Sequence, residues 1–250
     1  MIKFVLFFIV SVAQLHAAVS LERFIEIGKI FHKEYDEELK KDKAIFIINN
    51  APVNSPLLWW NQEMRHASYA GYLDPETKIF NHYVFLFGGF ARISFMNDLG
   101  IIMTLCHELG HGIGGRPYKE TNEKYNSSVE GQSDYYAARY CFRRIIKHLP
   151  GIEKTTAPSD FAKKSCDKSF SASFDRAICY KSFEALEIER AYLRTQEGIM
   201  KETSVETPDE SVVYTLNLDP YYYPEAQCRL DTMVNGILNR QRPACWYPKN

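Results

Sequence analysis

Two histidines that lie four positions apart flank a glutamate in the stretch "LCHELGHGIGG", residues 105–115. In a helix this spacing places His107 and His111 on one face, where both rings can bind one metal ion. Glu108 then lies beside the ion, roughly 100° around the helix axis from His107. Zinc lowers the pKa of a bound water to about 7, and a neighbouring carboxylate can accept its proton. The motif therefore predicts a zinc hydrolase; the alternative is a helix that carries two unrelated surface histidines.

A catalytic zinc needs a third protein ligand, with the fourth position left for water. One zincin pattern, HExxHxxGxxH, is matched at Gly114 but has Pro117 where its last histidine should stand. The stretch "EGQSD" offers a carboxylate instead, and Glu130 is the predicted third ligand. Asp134, one turn further on, is predicted to accept a hydrogen bond from the far nitrogen of a ligating histidine. The alternative role of Glu130 is to complement the dipole at the start of a helix.

Two helices are predicted to carry these residues. Asn97 or Asp98 can cap the histidine helix. Its apolar residues repeat at helical spacing on the face opposite the histidines: Ile102, Leu105, Leu109 and Ile113. The helix that carries Glu130 is predicted over 127–149, capped by serine and ended at Pro150.

Short strands are predicted before the histidine helix. "AIFIINN", residues 44–50, is a β-branched run, and 65–95 alternates aromatic, small and polar residues. The second region favours two or three antiparallel strands joined at "DPETK". Gly88 and Gly89 in this region could let a substrate backbone come close.

The remaining segments predict helices over 19–41 and 177–200, one more after Pro224, and a loop over 152–176. The expected fold class is α+β, a mainly helical, zincin-like domain with a small antiparallel sheet before the HExxH helix.

Residues 1–17 have the layout of a secretory signal, with Lys3, an apolar stretch and small residues at the end. An uncleaved anchor or a buried first helix is the alternative. One domain is expected over 18–250, with no stable membrane insertion after cleavage, in the periplasm or outside the cell.

Losing Lys3 from the 30 basic residues leaves 29 against 31 acidic ones, a formal charge of −2. This charge excludes nucleic acid as an expected partner.

Six cysteines follow the predicted signal, an even number that favours disulfides in an oxidising compartment. Six cysteines allow 15 complete pairings. Two pairs are close in sequence, Cys166 with Cys179 and Cys228 with Cys245. Cys106, inside the histidine helix, is expected to be a buried thiol.

HExxH followed by ExxxD is the gluzincin arrangement, and the chain resembles one gluzincin family in particular, that of the CAAX prenyl protease and the bacterial heat-shock and quality-control proteases. "VEGQSDYYAARY" resembles the ligand helix of that family. "YYPEAQCRLDT" is similar to its "HPPTEERI" segment, with Pro224 and Arg229 at matching positions. The distance from His111 to Glu130 is short for the family, so the chain would be a compact form.

The resemblance implies that Arg229 orients the ligand cluster from behind. It also implies that Tyr223 stands where the family has a histidine near the substrate carbonyl. A tyrosine hydroxyl can donate to a developing oxyanion. His148 and Tyr214 are the alternatives for this role.

The leading hypothesis is a secreted metallopeptidase that binds one zinc ion through His107, His111 and Glu130 and hydrolyses peptides or proteins. Glu108 would activate water and later pass the proton to the leaving amine. Two other hypotheses are a zinc-stabilised envelope binding or assembly factor without proteolysis, and a zinc amidase acting on cell-wall peptides. The sequence leaves the oligomeric state open.

Overall fold

The computed structural model describes residues 19–49, 57–121, 125–196 and 202–249. The predicted signal segment lies outside the described residues. About 51% of the described residues are helical, and three strands form one small sheet. This confirms the expected α+β class. No helix in the described ranges combines the length and the apolar character needed to cross a membrane.

The predicted helices and strands lie in the expected order, and the structure adds helices over 57–60, 88–91 and 160–169 that were not predicted. The elements are α1 (Leu21–Lys41), β1 (Ala44–Ile48), α2 (Leu57–Trp60), β2 (Ala67–Leu73), β3 (Phe80–Leu86), α3 (Gly88–Ala91), α4 (Asp98–Ile113), α5 (Glu130–Tyr136), a π-helical turn (Ala137–Cys141), α6 (Phe142–Ile146), a 3-10 turn (Ile152–Lys154), α7 (Asp160–Ser169), α8 (Ser173–Gln196) and α9 (Ala226–Ile237).

The sheet has the order β1-β3-β2, which places β2 at one edge. β2 and β3 are antiparallel, as predicted, across the turn that Asp74 stabilises by accepting hydrogen bonds from the backbone of Glu76 and Thr77. β1 is parallel to β3, with Ala44 opposite Phe80. The prediction of an all-antiparallel sheet is therefore wrong, because the chain crosses back between β1 and β3 and the two strands run in the same direction.

α4 lies at the centre of the fold, in contact with the sheet and with α1, α5 and α8. The side chain of Asn97 accepts hydrogen bonds from the backbone of Leu99 and Gly100, which identifies Asn97 as the cap. The apolar residues of α4 are fully buried on several sides: Ile101, Ile102, Met103, Leu105 and Leu109. A largely buried helix therefore carries the two histidines.

The helix that carries Glu130 begins later than predicted. Its first residue is Glu130 itself, and Val129 at the cap position makes no side-chain hydrogen bond. The serine cap is wrong because Ser128 instead donates its hydroxyl to the carbonyl of Gly115. The helical run ends at Ile146, four residues before Pro150.

Three disulfides are present. Cys166–Cys179 and Cys228–Cys245 are the two pairs that lie close in sequence. Cys106, expected to be a free thiol, is bonded to Cys141 instead. This bond joins α4 to the π-helical turn that follows α5, so the two helices of the candidate site are covalently linked.

Two further predictions are corrected by local packing. The expected loop over 152–176 contains α7, which begins where the Ser159 side chain accepts a hydrogen bond from the backbone of Ala162. Gly88 and Gly89 lie in the short helix α3. A Cβ atom on Gly88 would lie 1.8 Å from the carbonyl oxygen of Trp60, and one on Gly89 would lie 2.3 Å from that of Glu63. The backbone of residues 60–63 therefore packs directly against these two glycines, and no room is left there for a substrate.

Candidate functional site

Three ligand atoms, one each from His107, His111 and Glu130, lie within 4.8 Å of one another. Nε2 of His107 lies 3.3 Å from Oε2 of Glu130, and Nε2 of His111 lies 3.4 Å from Oε1. Two ligands of a tetrahedral zinc, at bonds of about 2.05 Å, are about 3.3 Å apart. The donor set and these separations fit zinc.

A close contact between α4 and α5 brings the three ligands together. A Cβ atom on Gly110 would lie 2.7 Å from Oγ of Ser133, so only glycine allows α5 to approach this closely. The Ser133 hydroxyl donates to the carbonyl of His107 and links the helices at the same point. Glu130, as the first residue of α5, then faces the histidines one turn apart on α4.

The outer nitrogen of each histidine faces a polar partner. Nδ1 of His107 lies 2.7 Å from Oδ1 of Asp134, and Nδ1 of His111 lies 2.8 Å from the carbonyl oxygen of Ser128, to which the ring N–H donates. Such partners place the ring proton on Nδ1 and leave Nε2 free to bind a metal ion. Asp134 is close to His107, as predicted, although Nδ1 lacks the geometry of the predicted hydrogen bond. The partner of His111 was not predicted.

Arg229 approaches the cluster from α9. Its Nε and Nη2 each lie 2.8 Å from one oxygen of Asp134, a side-on pairing through two hydrogen bonds. Its Nη2 is also 4.0 Å from Oε2 of Glu130. The side chain of Asp134 is fully buried and that of Arg229 is 14% exposed. Arg229 is therefore bonded to Asp134 and close to Glu130, and the orienting role that the resemblance implies for it stays a prediction.

Lys119 is a member of the site that the sequence did not reveal. Its Nζ lies 2.8 Å from Oε1 of Glu130. An isolated bridge between Tyr118 and Ser128, with the Lys119 backbone N–H donating to the carbonyl of Ser127, folds the segment back over the cluster. Lys119 belongs to a polar stretch with no distinctive spacing, so only the tertiary fold identifies it.

Charge and burial shape the protonation of the site. Burial raises the pKa of Glu108, and the nearby histidines oppose that shift. Burial also acts to raise the pKa of Glu130, but His111 and His107 outweigh it and hold the pKa well below the ordinary value. Glu130 is thus kept negatively charged, as a metal ligand must be. The pKa of Glu108 is shifted in the direction that makes its carboxylate a stronger base.

Glu108 and the three ligands line a cavity of about 650 Å³. One wall is the start of β2, which includes Tyr69, and another belongs to α8. Tyr223 also lines this cavity, 60% exposed, with its ring centre 5.8 Å from Cζ of Arg229. The structure therefore brings Tyr223 to the site with its side chain largely open to solvent.

The two alternatives to Tyr223 lie elsewhere. Nε2 of His148 is 2.6 Å from Oε1 of Glu34, away from the cavity lining. Tyr214 is 89% exposed and does not line the cavity either. Of the three residues considered for an oxyanion donor, Tyr223 alone reaches this cavity in the described part of the chain.

A second group with ligand-type side chains consists of Asp209, Cys228 and Cys245. Its two sulfur atoms are joined in a disulfide, so neither is available as a thiolate ligand. This group is therefore a cross-link beside an acidic residue and carries no metal site.

Glu189 and Thr104 complete the cavity lining on the side of α8 and α4, and neither was predicted from the sequence. Glu189 lies within a helix whose polar residues have no motif-like spacing, and its position beside the site depends on how α8 packs against α4.

Comparison with known protein families, curated proteins and solved structures gives no significant match to this chain.

Proposed function

We propose that the protein is a zinc metallopeptidase with a gluzincin arrangement, a compact form of the family that its motifs resemble. The observation that carries the proposal is the convergence of two histidine Nε2 atoms and one carboxylate at the spacing of a tetrahedral zinc. The outer nitrogens of both histidines are held by other groups, as in functional zinc sites. A structural zinc would have four protein ligands, whereas this cluster offers three and borders a cavity.

His107, His111 and Glu130 would hold the zinc. When bound, zinc lowers the pKa of a coordinated water to about 7 and polarises a substrate carbonyl. Glu108, adjacent to His107 and lining the same cavity, accepts the proton of the attacking water and returns it to the leaving amine.

Tyr223 is the proposed donor to the oxygen of the scissile carbonyl, because it reaches the cavity and its hydroxyl makes no hydrogen bond with another described residue. Lys119 pairs with Oε1 of Glu130, the oxygen that faces His111, and adds positive charge to the same wall. Asp134 and Arg229 hold His107 in the orientation that points Nε2 at Glu130.

A peptide substrate is favoured by the position of β2. Among the described residues β2 pairs with β3 and with no other strand, and Ala67 and Ser68 at its start line the cavity. An extended peptide can pair with the outer edge of a terminal strand through main-chain hydrogen bonds, whatever its side chains. We infer that β2 aligns the substrate backbone across the face of α4. The predicted signal and the three disulfides support action in the periplasm or outside the cell.

Metal content and proteolysis can be measured on the same samples of wild type, Glu130→Ala and Asp160→Ala. Asp160 is the control: like Glu130, it is an acidic residue in the first turn of a helix, where it complements the helix dipole. Unlike Glu130, it is exposed and lies away from the histidines. We expect one zinc per chain and digestion of unfolded casein by wild type and Asp160→Ala, with both lost in Glu130→Ala.

Other outcomes would redirect the proposal. Zinc without casein digestion, but with hydrolysis of cell-wall peptides, would favour the amidase. Zinc without any hydrolysis would favour the binding factor. A wild type that binds no zinc would contradict the metal site itself.

A further inference from the structure

Glu189 is a buried carboxylate in the cavity that the proposed chemistry does not use. It is 6% exposed and lies on α8. The hydroxyl of Thr104 donates to its Oε1 at 3.0 Å. Tyr192 and Leu193, on the next turn of α8, line the same cavity.

No lysine, arginine or histidine among the described residues lies within ion-pair distance of Glu189. The two cations of the cavity are bound elsewhere, Arg229 to Asp134 and Lys119 to Glu130. A carboxylate removed from water without a cation is destabilised. Burial accordingly raises the pKa of Glu189 to about 7, with only Thr104 as a hydrogen-bond donor. Among the described residues, Glu189 therefore has no cation in contact, and only His107 and Arg229 stabilise its charge from a distance.

The Glu189 carboxylate lies close to the place where the scissile bond of a substrate would be held. Thr104 lies three residues before His107 and four before Glu108 on α4, separations of about 4.5 and 6 Å along the helix axis. Glu189 therefore lies roughly one helical turn from the metal ligands, on the side where α8 forms the wall. Residues adjacent to the scissile bond of a bound peptide would direct their side chains into this part of the cavity.

We propose that Glu189 forms a subsite for a cationic group of the substrate, so that the enzyme selects peptides with a basic residue next to the cleaved bond. This inference rests on the proposed function. The aliphatic stem of a lysine or arginine would pack against Tyr192 and Leu193, and its charged end would reach the Glu189 carboxylate. The α-ammonium group at a peptide N-terminus shares this chemistry, and the experiments separate the two sources.

The first test is to sequence the products of casein digestion by mass spectrometry. Glu189→Gln preserves the shape of the side chain and an oxygen that can accept from Thr104, but removes the charge. Glu187→Gln is the matched control, since Glu187 lies on the same helix, is more exposed and pairs with Arg190 at 2.7 Å.

For wild type and Glu187→Gln, we expect lysine and arginine to be enriched about tenfold at one position beside the cleaved bond. Glu189→Gln should cut casein without that enrichment. Cleavage within the chain beside basic residues identifies a side-chain subsite, whereas cleavage confined to chain ends identifies the α-ammonium group. Enrichment that persists in Glu189→Gln, or cleavage within the chain by wild type without any enrichment, would overturn the proposal.

The second test measures binding without turnover, in protein that carries Glu108→Gln. Calorimetry compares three peptides of alanine: an N-acetylated one with a central lysine, an N-acetylated one with norleucine instead, and a norleucine one with a free N-terminus. We expect one of the two cationic peptides to bind at least tenfold more tightly than the acetylated norleucine peptide. Adding Glu189→Gln should remove this difference, and adding Glu187→Gln should retain it.

Failure of this inference is distinguishable from failure of the proposed function. Binding that depends on Glu189, in a protein whose wild type cleaves no peptide, would retain the subsite and reject the peptidase. Cleavage together with equal binding of all three peptides would retain the peptidase and overturn the subsite.

Discussion

Asp134 connects a metal-binding histidine to a buried arginine: one of its oxygens lies 2.7 Å from Nδ1 of His107, and both accept hydrogen bonds from Arg229 at 2.8 Å. The carboxylate comes from α5, the histidine from α4 and the arginine from α9. Three elements therefore determine the orientation of one ring, and a change behind the metal cluster should alter the cluster itself.

Asp134→Asn should weaken zinc binding about 10- to 100-fold, because the amide provides a weaker partner for the ring N–H and lacks the charge that makes the ligand more basic. The measurement is competition for zinc with a chromophoric chelator. Asp175→Asn is the control, since Asp175 is 46% exposed and pairs with Arg143, which is not a residue of the site. Equal affinity of the wild type and Asp134→Asn would show that Asp134 has no influence on the ligand.

Arg229→Met should lower the free energy of unfolding of the metal-free protein by about 3–5 kcal/mol, because it leaves the buried charge of Asp134 without its main partner. Urea denaturation followed by circular dichroism measures the effect. Lys163→Met removes a solvent-exposed pair with Asp167 and should leave stability nearly unchanged. A small effect of Arg229→Met would indicate that water or another cation replaces the guanidinium.

The double variant Cys106→Ala/Cys141→Ala should lose about 4 kcal/mol of stability, from the chain entropy that a cross-link over 35 residues removes from the unfolded state. The pair Cys166–Cys179 spans 13 residues and should contribute about 3 kcal/mol. The first variant should also bind zinc more weakly, since Cys106 precedes His107. Unchanged zinc affinity would show that packing alone holds α4 against α5.

Stability should fall in mild acid because of His82. Burial lowers the pKa of this histidine to about 4, and its Nδ1 lies 2.8 Å from the Tyr69 hydroxyl. In the unfolded chain its pKa is about 6.5, so between pH 6.5 and 4 the unfolded state binds the additional proton. The contribution of His82 to stability is complete above pH 6.5 and declines by up to about 3 kcal/mol as the pH falls to 4.

The variant His82→Gln isolates this effect, since it removes the titrating ring and keeps a polar side chain beside Tyr69. The free energy of unfolding, measured at intervals from pH 7 to pH 4, should decline less steeply in the variant than in wild type. Parallel curves for the two proteins would mean that His82 is protonated without penalty in the folded state.

The central helix and its ligands could be predicted because their information is local. The spacing of His107 and His111, the cap at Asn97 and the four-residue step from Glu130 to Asp134 each lie within one or two helical turns. Alternation of residue types likewise marked the strands. Alternation gives no strand direction, however, and the parallel pairing of β1 with β3 depends on how the chain crosses between them.

The residues that sequence reasoning missed are those whose roles come from tertiary contacts. Lys119 reaches Glu130 only because the segment before α5 folds back on itself. Glu189 lies 85 residues after Thr104, its hydrogen-bond partner, on a different helix. Cys106 and Cys141 pair across two helices. None of these relations has a periodic or short-range signature that a single sequence could display.

The most direct measurement compares zinc content and casein turnover in wild type and Glu108→Gln from parallel preparations. Because Glu108 lies beside the ligands and is not one of them, the variant should retain one zinc per chain. Its turnover should fall by at least about 100-fold through loss of the general base. Glu187→Gln, prepared alongside, should match wild type in both. A Glu108→Gln protein that binds zinc and digests casein at the wild-type rate would contradict the assignment of Glu108 as the base.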